Sequence, residues 1–154
     1  MREVDPDEGR FSDFYRSEYA GMVRLAVSLT GDVDQAEDVV QDAFARIHGR
    51  FPSLDRPGGY LRTAVVNLCS DRHRRGRLER RVPLGSPTST LSLQASEMID
   101  VLLRLPFRQR AVLVLRYWGD WSEAEIAHAV GCRPGSVKSL ASRGLATLRK
   151  EVGR

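Results

Sequence analysis

Cysteine is scarce in this sequence, with only Cys69 and Cys132 present. Two thiols so far apart do not make a disulfide framework. No run of about eighteen apolar residues occurs, so no segment reads as a membrane-spanning helix. The opening segment MREVDPDEGR is acidic and polar, unlike a secretory leader. Strict alternation of apolar and polar residues, the mark of a half-buried strand, never persists. There is no phosphate-binding glycine loop, and none of His48, His73 and His128 has a nucleophile arranged around it. These absences predict a cytoplasmic chain with no catalytic residues and no cofactor.

A metal site is expected to be missing as well. Cys69 and His73 are four residues apart, and so are His128 and Cys132. Pooled, the two pairs have the donors of a Cys2His2 zinc set. They fall in different halves of the chain, however, and Cys132 falls in a turn. Buried thiols and surface imidazoles explain them more simply.

What the chain does hold is charge, unevenly placed. Residues 1–50 carry 6 basic against 11 acidic side chains, −5 in all. Residues 51–80 carry 7 against 3, and residues 81–154 carry 11 against 6, giving +4 and +5. An acidic front and two basic blocks suggest two kinds of partner, one of them a polyanion. Only Lys138 and Lys150 among the 24 cations are lysine. Arginine suits phosphate and guanine, but a GC-rich coding sequence accounts for that bias without appeal to function.

Apolar spacing is helical throughout. Phe11, Phe14, Tyr15, Met22, Leu25, Ala26 and Leu29 mark a first helix that Gly31 ends. Asp32 and Gln35 form a capping box for a second, which buries Val33, Ala36, Val40, Ala43, Phe44 and Ile47. FPSLDRPGG reads as a loop. YLRTAVVNLCSDRHRR is a third helix with Leu61, Ala64, Val65 and Leu68 inward. RVPLGSPTSTLSLQ, residues 81–94, reads as a linker. SEMIDVLLRL and FRQRAVLVLRYW are two further helices separated at Pro106. The expectation is an all-α protein of two small helical domains, 1–80 and 95–154, joined by a flexible linker.

The last segment, WSEAEIAHAVGCRPGSVKSLASRGLATLR, has the chemistry of two helices and a tight turn. Ser122 and Glu125 make a capping box, Gly131 supplies a left-handed residue, and Pro134 suits a first helical turn. Val137, Leu140, Leu145 and Leu148 anchor the second helix, while Arg133, Ser136, Lys138, Ser139, Ser142 and Arg143 lie nearer the front. That is a helix-turn-helix arrangement, whose second helix fits a major groove. A plain helical hairpin with a solvated face would share the pattern, but not the basic block around it.

At this point a resemblance becomes specific. LPFRQRAVLVLRYWGDWSEAEIAHAVGCRPGSVKSLASRGLATLR resembles the C-terminal domain of bacterial extracytoplasmic-function (group IV) RNA polymerase sigma factors. The family's elements appear as Leu105-Pro106, Ser122, Glu125-Ile126-Ala127, Gly131 and Gly135-Ser136-Val137-Lys138-Ser139. Arg133 stands where the family usually has Ser or Thr, so the recognition helix should lack its side-chain cap, a loss of ~1 kcal/mol. The resemblance implies a region 4-like domain that reads the −35 element through Arg133, Ser136, Lys138, Ser139, Ser142 and Arg143.

The front half is similar to the family's region 2-like bundle. LTGDVDQAEDVVQDAFARI resembles its polymerase-docking segment, implying contact of Glu37, Asp38, Gln41 and Asp42 with a coiled coil of the largest polymerase subunit. YLRTAVVNLCSDRHRR resembles its promoter-melting helix, with Tyr60 where Trp is usual and the Asn67/Asp71 spacing kept. The resemblance places Leu54, Asp55 and Arg56 in a loop that selects a flipped base near −10. It places Arg62, Thr63, Asn67, Arg72, Arg74 and Arg75 on the melting surface. The implied partners are core RNA polymerase (coiled coil and flap), duplex and melted promoter DNA, and, as in others of this group, an anti-sigma protein. Two other readings compete. An autonomous helix-turn-helix regulator would bind DNA without polymerase, and an adaptor docking only on polymerase would leave the second basic block unused.

Overall fold

The computed structural model describes Glu3, residues 5–79 and residues 93–153. The expected linker, 81–94, therefore lies outside the described residues except for Leu93 and Gln94, which are helical. Among the described residues the chain forms α1 (Pro6–Thr30), α2 (Val33–His48), a 3-10 turn (Phe51–Ser53), α3 (Pro57–Glu79), α4 (Leu93–Leu103), α5 (Phe107–Tyr117), α6 (Glu123–Val130) and α7 (Pro134–Val152), with no strand.

Local chemistry sets these boundaries. Asp5 caps α1 by accepting from the Asp7 N–H, and Pro6 fills the first turn. Gly31, at φ 72°, closes α1 by donating its N–H to Val27 O at 2.7 Å. Asp32 then accepts from Gln35 N at 3.0 Å and starts α2. The expected loop over 51–59 is shorter than the sequence suggests. Pro57, Gly58 and Gly59 form the first turn of α3, because proline's fixed φ already suits that position.

α1, α2 and α3 form a bundle around Val39, Val40, Phe44, Ile47, Leu61 and Val65, all buried. Phe11 meets Phe44 and Phe51 edge-on at ring distances of 6.2 and 5.4 Å, the arrangement aromatic quadrupoles favour. α4 to α7 form a second unit, but the two share one continuous apolar cluster. α5 is the shared piece. Its residues 110–115 are buried on every side, against α1, α3, α4, α6 and α7. The "VLVL" run is therefore helical, and its unbroken hydrophobicity reflects enclosure.

Gly31 sits at this junction. A Cβ there would collide with Leu103 Cδ1 and lie 2.9 Å from Cδ2, in a backbone region that L side chains avoid. Gly31→Ala is expected to cost about 2 kcal/mol. A thermal melt should show a drop of about 4–8 °C; an unchanged midpoint would mean that Leu103 moves aside without loss.

Candidate nucleic-acid interface

The C-terminal unit builds its site from α6, a turn and α7. The Ser122 hydroxyl accepts from Glu125 N at 3.2 Å and lies 3.1 Å from Glu125 Oε1, as a good N-cap should. Gly131, at φ 76°, donates to Ala127 O at 2.9 Å and turns the chain. Arg133 is the N-cap of α7 with no side-chain cap bond, and Pro134 follows it. One side of α7 is buried through Val137, Leu140, Ala141 and Gly144. Gly144 lets α7 approach α5 closely, since a Cβ there would come within 2.8 Å of Leu113 Cδ1.

The other side of α7 is open. Lys138, Ser139, Ser142 and Arg143 are exposed along it, with Arg133 exposed at its start and Ser136 half-buried. Lys138 Nζ lies 4.0 Å from Glu123 Oε1, and Arg143 Nε makes a long 3.4 Å bond to Ser139 O. Exposed contacts of that kind are worth little, so both cations remain available to a polyanion.

In the front unit, Glu37, Asp38, Gln41 and Asp42 form an exposed stripe on α2, above the buried Val39, Val40 and Ala43. Gln41 Nε2 donates to the Tyr15 hydroxyl at 2.8 Å. Among the expected melting residues on α3, Arg62 and Arg72 are engaged by other parts of the chain. Asn67 and Arg75 are exposed on α3, and Thr63 is half-buried. Arg72 turns back to α2 and pairs with Asp38 at 3.2 Å and Asp42 at 3.4 Å. Arg74 pairs with Asp71 on its own helix. In the preceding loop, Asp55 and Arg56 are exposed, while Leu54 packs partly on the core. Tyr60 is 38% exposed, and its hydroxyl accepts from Arg50 Nη1 at 2.7 Å. Its anchor is a guanidinium rather than the apolar packing its ring suggests.

Several residues join the two units, a role that sequence reasoning gave to none of them. Arg110 is only 3% exposed, and its Nη1 donates to Leu29 O at 2.9 Å, at the C-terminal end of α1. A cation there meets the negative end of a helix dipole. Its signal was legible, since Phe107, Arg110, Ala111 and Val114 fall at i, i+3, i+4, i+7 and put a charge on the apolar stripe. The Arg62 guanidinium lies 5.8 Å from the Trp121 ring centroid, and His73 stacks on Phe107 at 5.1 Å. Val66 and Cys69 are fully buried because α6 and α5 cover a second side of α3. Burial pushes the Cys69 thiol up to about 12, against the opposing pull of Arg72 and Arg110. It is therefore protonated and inert at neutral pH. A cleft of about 540 Å³ opens between the units, lined by Met22, Leu25, Ile99, Trp118 and Trp121 among others.

The chain has clear relatives. Residues 14–79 match the family described as Sigma-70 region 2, and residues 95–148 that described as Sigma-70, region 4. The sequence is 34% identical over 152 residues to the RNA polymerase sigma-E factor of Streptomyces coelicolor, covering 92% of this chain and 85% of that protein. It is 32% identical over 158 residues to ECF RNA polymerase sigma factor SigM of Mycobacterium tuberculosis, covering 97% of this chain and 81% of that protein. Among solved structures, the fold is similar to the sigma factor RpoE of Bartonella quintana, solved in complex with the anti-sigma factor NepR. The TM-score is 0.72 at 24% identity, over 92% of this chain and 97% of that one.

Proposed function

Because the chain belongs to the extracytoplasmic-function RNA polymerase sigma factors, we propose that it directs promoter-specific transcription initiation through three surfaces. Its domains divide as 1–80 and 95–154, with 81–94 as the linker. The acidic stripe Glu37, Asp38, Gln41 and Asp42 docks on the coiled coil of the largest polymerase subunit. Charge complementarity there speeds encounter and sets orientation. The C-terminal unit meets the polymerase flap and presents α7 to the −35 element.

In the groove, Lys138, Arg143 and Arg133 neutralise phosphates, while Ser136, Ser139 and Ser142 stand near base edges. Phosphate contacts fix register, and the few base contacts carry sequence. Near −10, the loop bearing Leu54, Asp55 and Arg56 takes an extruded base. Arg62, Thr63 and Asn67 line the path of the separated strand, with Arg74 and Arg75 beside it. Strand opening needs no covalent step, only a place for the unstacked base and a cationic track. With Arg62 over the Trp121 ring and α3 packed against α6, the strand reaches this helix as the two units separate.

One observation carries this reading. The basic and hydroxyl face of α7 is exposed, with only the 4.0 Å approach of Lys138 to Glu123 of α6 across it, while its opposite face is buried. The family does not favour an autonomous regulator that binds DNA without polymerase. The protein acts in the cytoplasm, without catalysis, cofactor or metal, and an anti-sigma protein is the regulator that fits it.

Run-off transcription with purified core polymerase on genomic fragments tests this. Discrete transcripts that require the protein are expected; their absence from every template refutes the function. Asn67→Ala is expected to spare closed-complex affinity and slow opening about tenfold, the effect of one lost hydrogen bond, ~1.4 kcal/mol. Permanganate reactivity rising at the normal rate would remove Asn67 from the melting role.

A further inference from the structure

Arg72 belongs to the melting helix by sequence, yet its guanidinium faces α2. Nη1 lies 3.2 Å from Asp38 Oδ2, and Nη2 lies 3.4 Å from Asp42 Oδ2. The two carboxylates are one helical turn apart and repel each other. A planar guanidinium can bridge both at once, which a lysine ammonium does less well. Exposure shows which side of the cluster faces outward. The Arg72 side chain is 28% exposed, against 71% and 56% for Asp38 and Asp42. The cation lies underneath, and the acids stay accessible above it.

We propose that Arg72 is a positioning residue for polymerase docking and contributes no phosphate contact at the promoter. This rests on the reading of the α2 stripe as the docking surface. The fork holds two otherwise rotatable carboxylates in one geometry before the partner arrives. Ordering side chains in advance lowers what association must spend on fixing them. The fork also cancels one of the two charges, so the docking face stays acidic with less internal repulsion. The cation count near −10 falls accordingly. Arg75 is left on this helix as an exposed guanidinium with no ion pair among the described residues.

A double-mutant cycle with the full chain and purified core polymerase tests this. Arg72→Ala and Arg72→Gln are each made alone and together with Asp38→Asn/Asp42→Asn. Core affinity is read by fluorescence anisotropy, and promoter affinity of the preassembled complex is read across a salt series. Arg72→Gln keeps the aliphatic stem, so its behaviour separates lost pairing from lost packing.

Both single variants are expected to weaken core binding about three- to tenfold, within the coupling range of contacting residues. Arg72→Lys should recover part of that loss. In the double-Asn background the Arg72 changes should have almost no further effect, because Arg72 then has no carboxylate to hold and an amide oxygen is a weaker, uncharged acceptor. The promoter salt slope should stay as in the parent. A slope lower by ~0.9 with core affinity intact would make Arg72 a phosphate contact and overturn the proposal. An equal loss in both backgrounds would also overturn it, showing an effect that bypasses the carboxylates. If Asp38→Asn/Asp42→Asn itself leaves core affinity unchanged, the docking reading of α2 falls, and the role of Arg72 with it.

Discussion

Replacing Lys138 and Arg143 together with alanine should weaken promoter binding by the polymerase-bound protein roughly thirtyfold at 0.15 M salt. Each phosphate contact contributes ~0.9 to the dependence of log affinity on log salt, so two remove ~1.8 and, relative to 1 M, a factor of about thirty. Both residues are exposed on α7, and neither holds a strong internal partner: Lys138 lies 4.0 Å from Glu123, and Arg143 reaches only Ser139 O at 3.4 Å. Thermal stability should therefore barely change, which separates a lost contact from a damaged fold. Filter binding or anisotropy across a salt series measures slope and affinity together. A parental slope in the double variant would mean that α7 does not lie along the phosphates. The hydroxyls should behave differently. Ser139→Ala or Ser142→Ala should alter preference among −35 sequences while leaving the slope alone, because base-edge contacts release no counterions.

Most of the local structure was legible in the residues, because short-range chemistry decides it. Gly31 and Gly131 end helices in the left-handed region, and Asp32 and Ser122 begin the next ones with side-chain caps. These are properties of a few neighbouring residues. The α7 face was legible for the same reason, since Val137, Leu140 and Ala141 fix one side and leave Lys138, Ser139 and Ser142 on the other. What escaped sequence reasoning depends on partners distant along the chain. Val66 did not fit the inward stripe of α3, because a single stripe presumes a single covered side. α5 and α6 cover the second. Arg72 looked like one of a run of solvent-facing cations, and only the proximity of α2 shows that it is engaged. Periodicity states which residues share a face. It does not state how many faces another helix will cover.

Arg110 is where that long-range packing is most exposed to a single change. The residue lies 81 positions from Leu29, yet its Nη1 donates to the Leu29 carbonyl at 2.9 Å in a buried setting. That carbonyl lies in the last turn of α1, where no further helical N–H follows to donate to it. The guanidinium also lies 5.4 Å from the Phe107 ring centroid, so its stem and its charge both have company. Arg110→Ala removes a charge-assisted bond and leaves a buried acceptor unmatched, a loss of about 3 kcal/mol. Arg110→Met keeps much of the stem and should lose about 1–2 kcal/mol, the share of the unmatched carbonyl alone. The contact joins the two units, so its loss should separate them before it unfolds either. A compact chain of this length has a radius of gyration of about 15 Å. X-ray scattering of Arg110→Ala should give a value several ångströms larger at temperatures where circular dichroism still shows full helix. The melting midpoint should fall by about 6–12 °C. If the variant scatters and melts like the parent, Arg110 is not what holds α1 to α5, and the apolar contacts of Leu29 and Leu103 carry that junction by themselves.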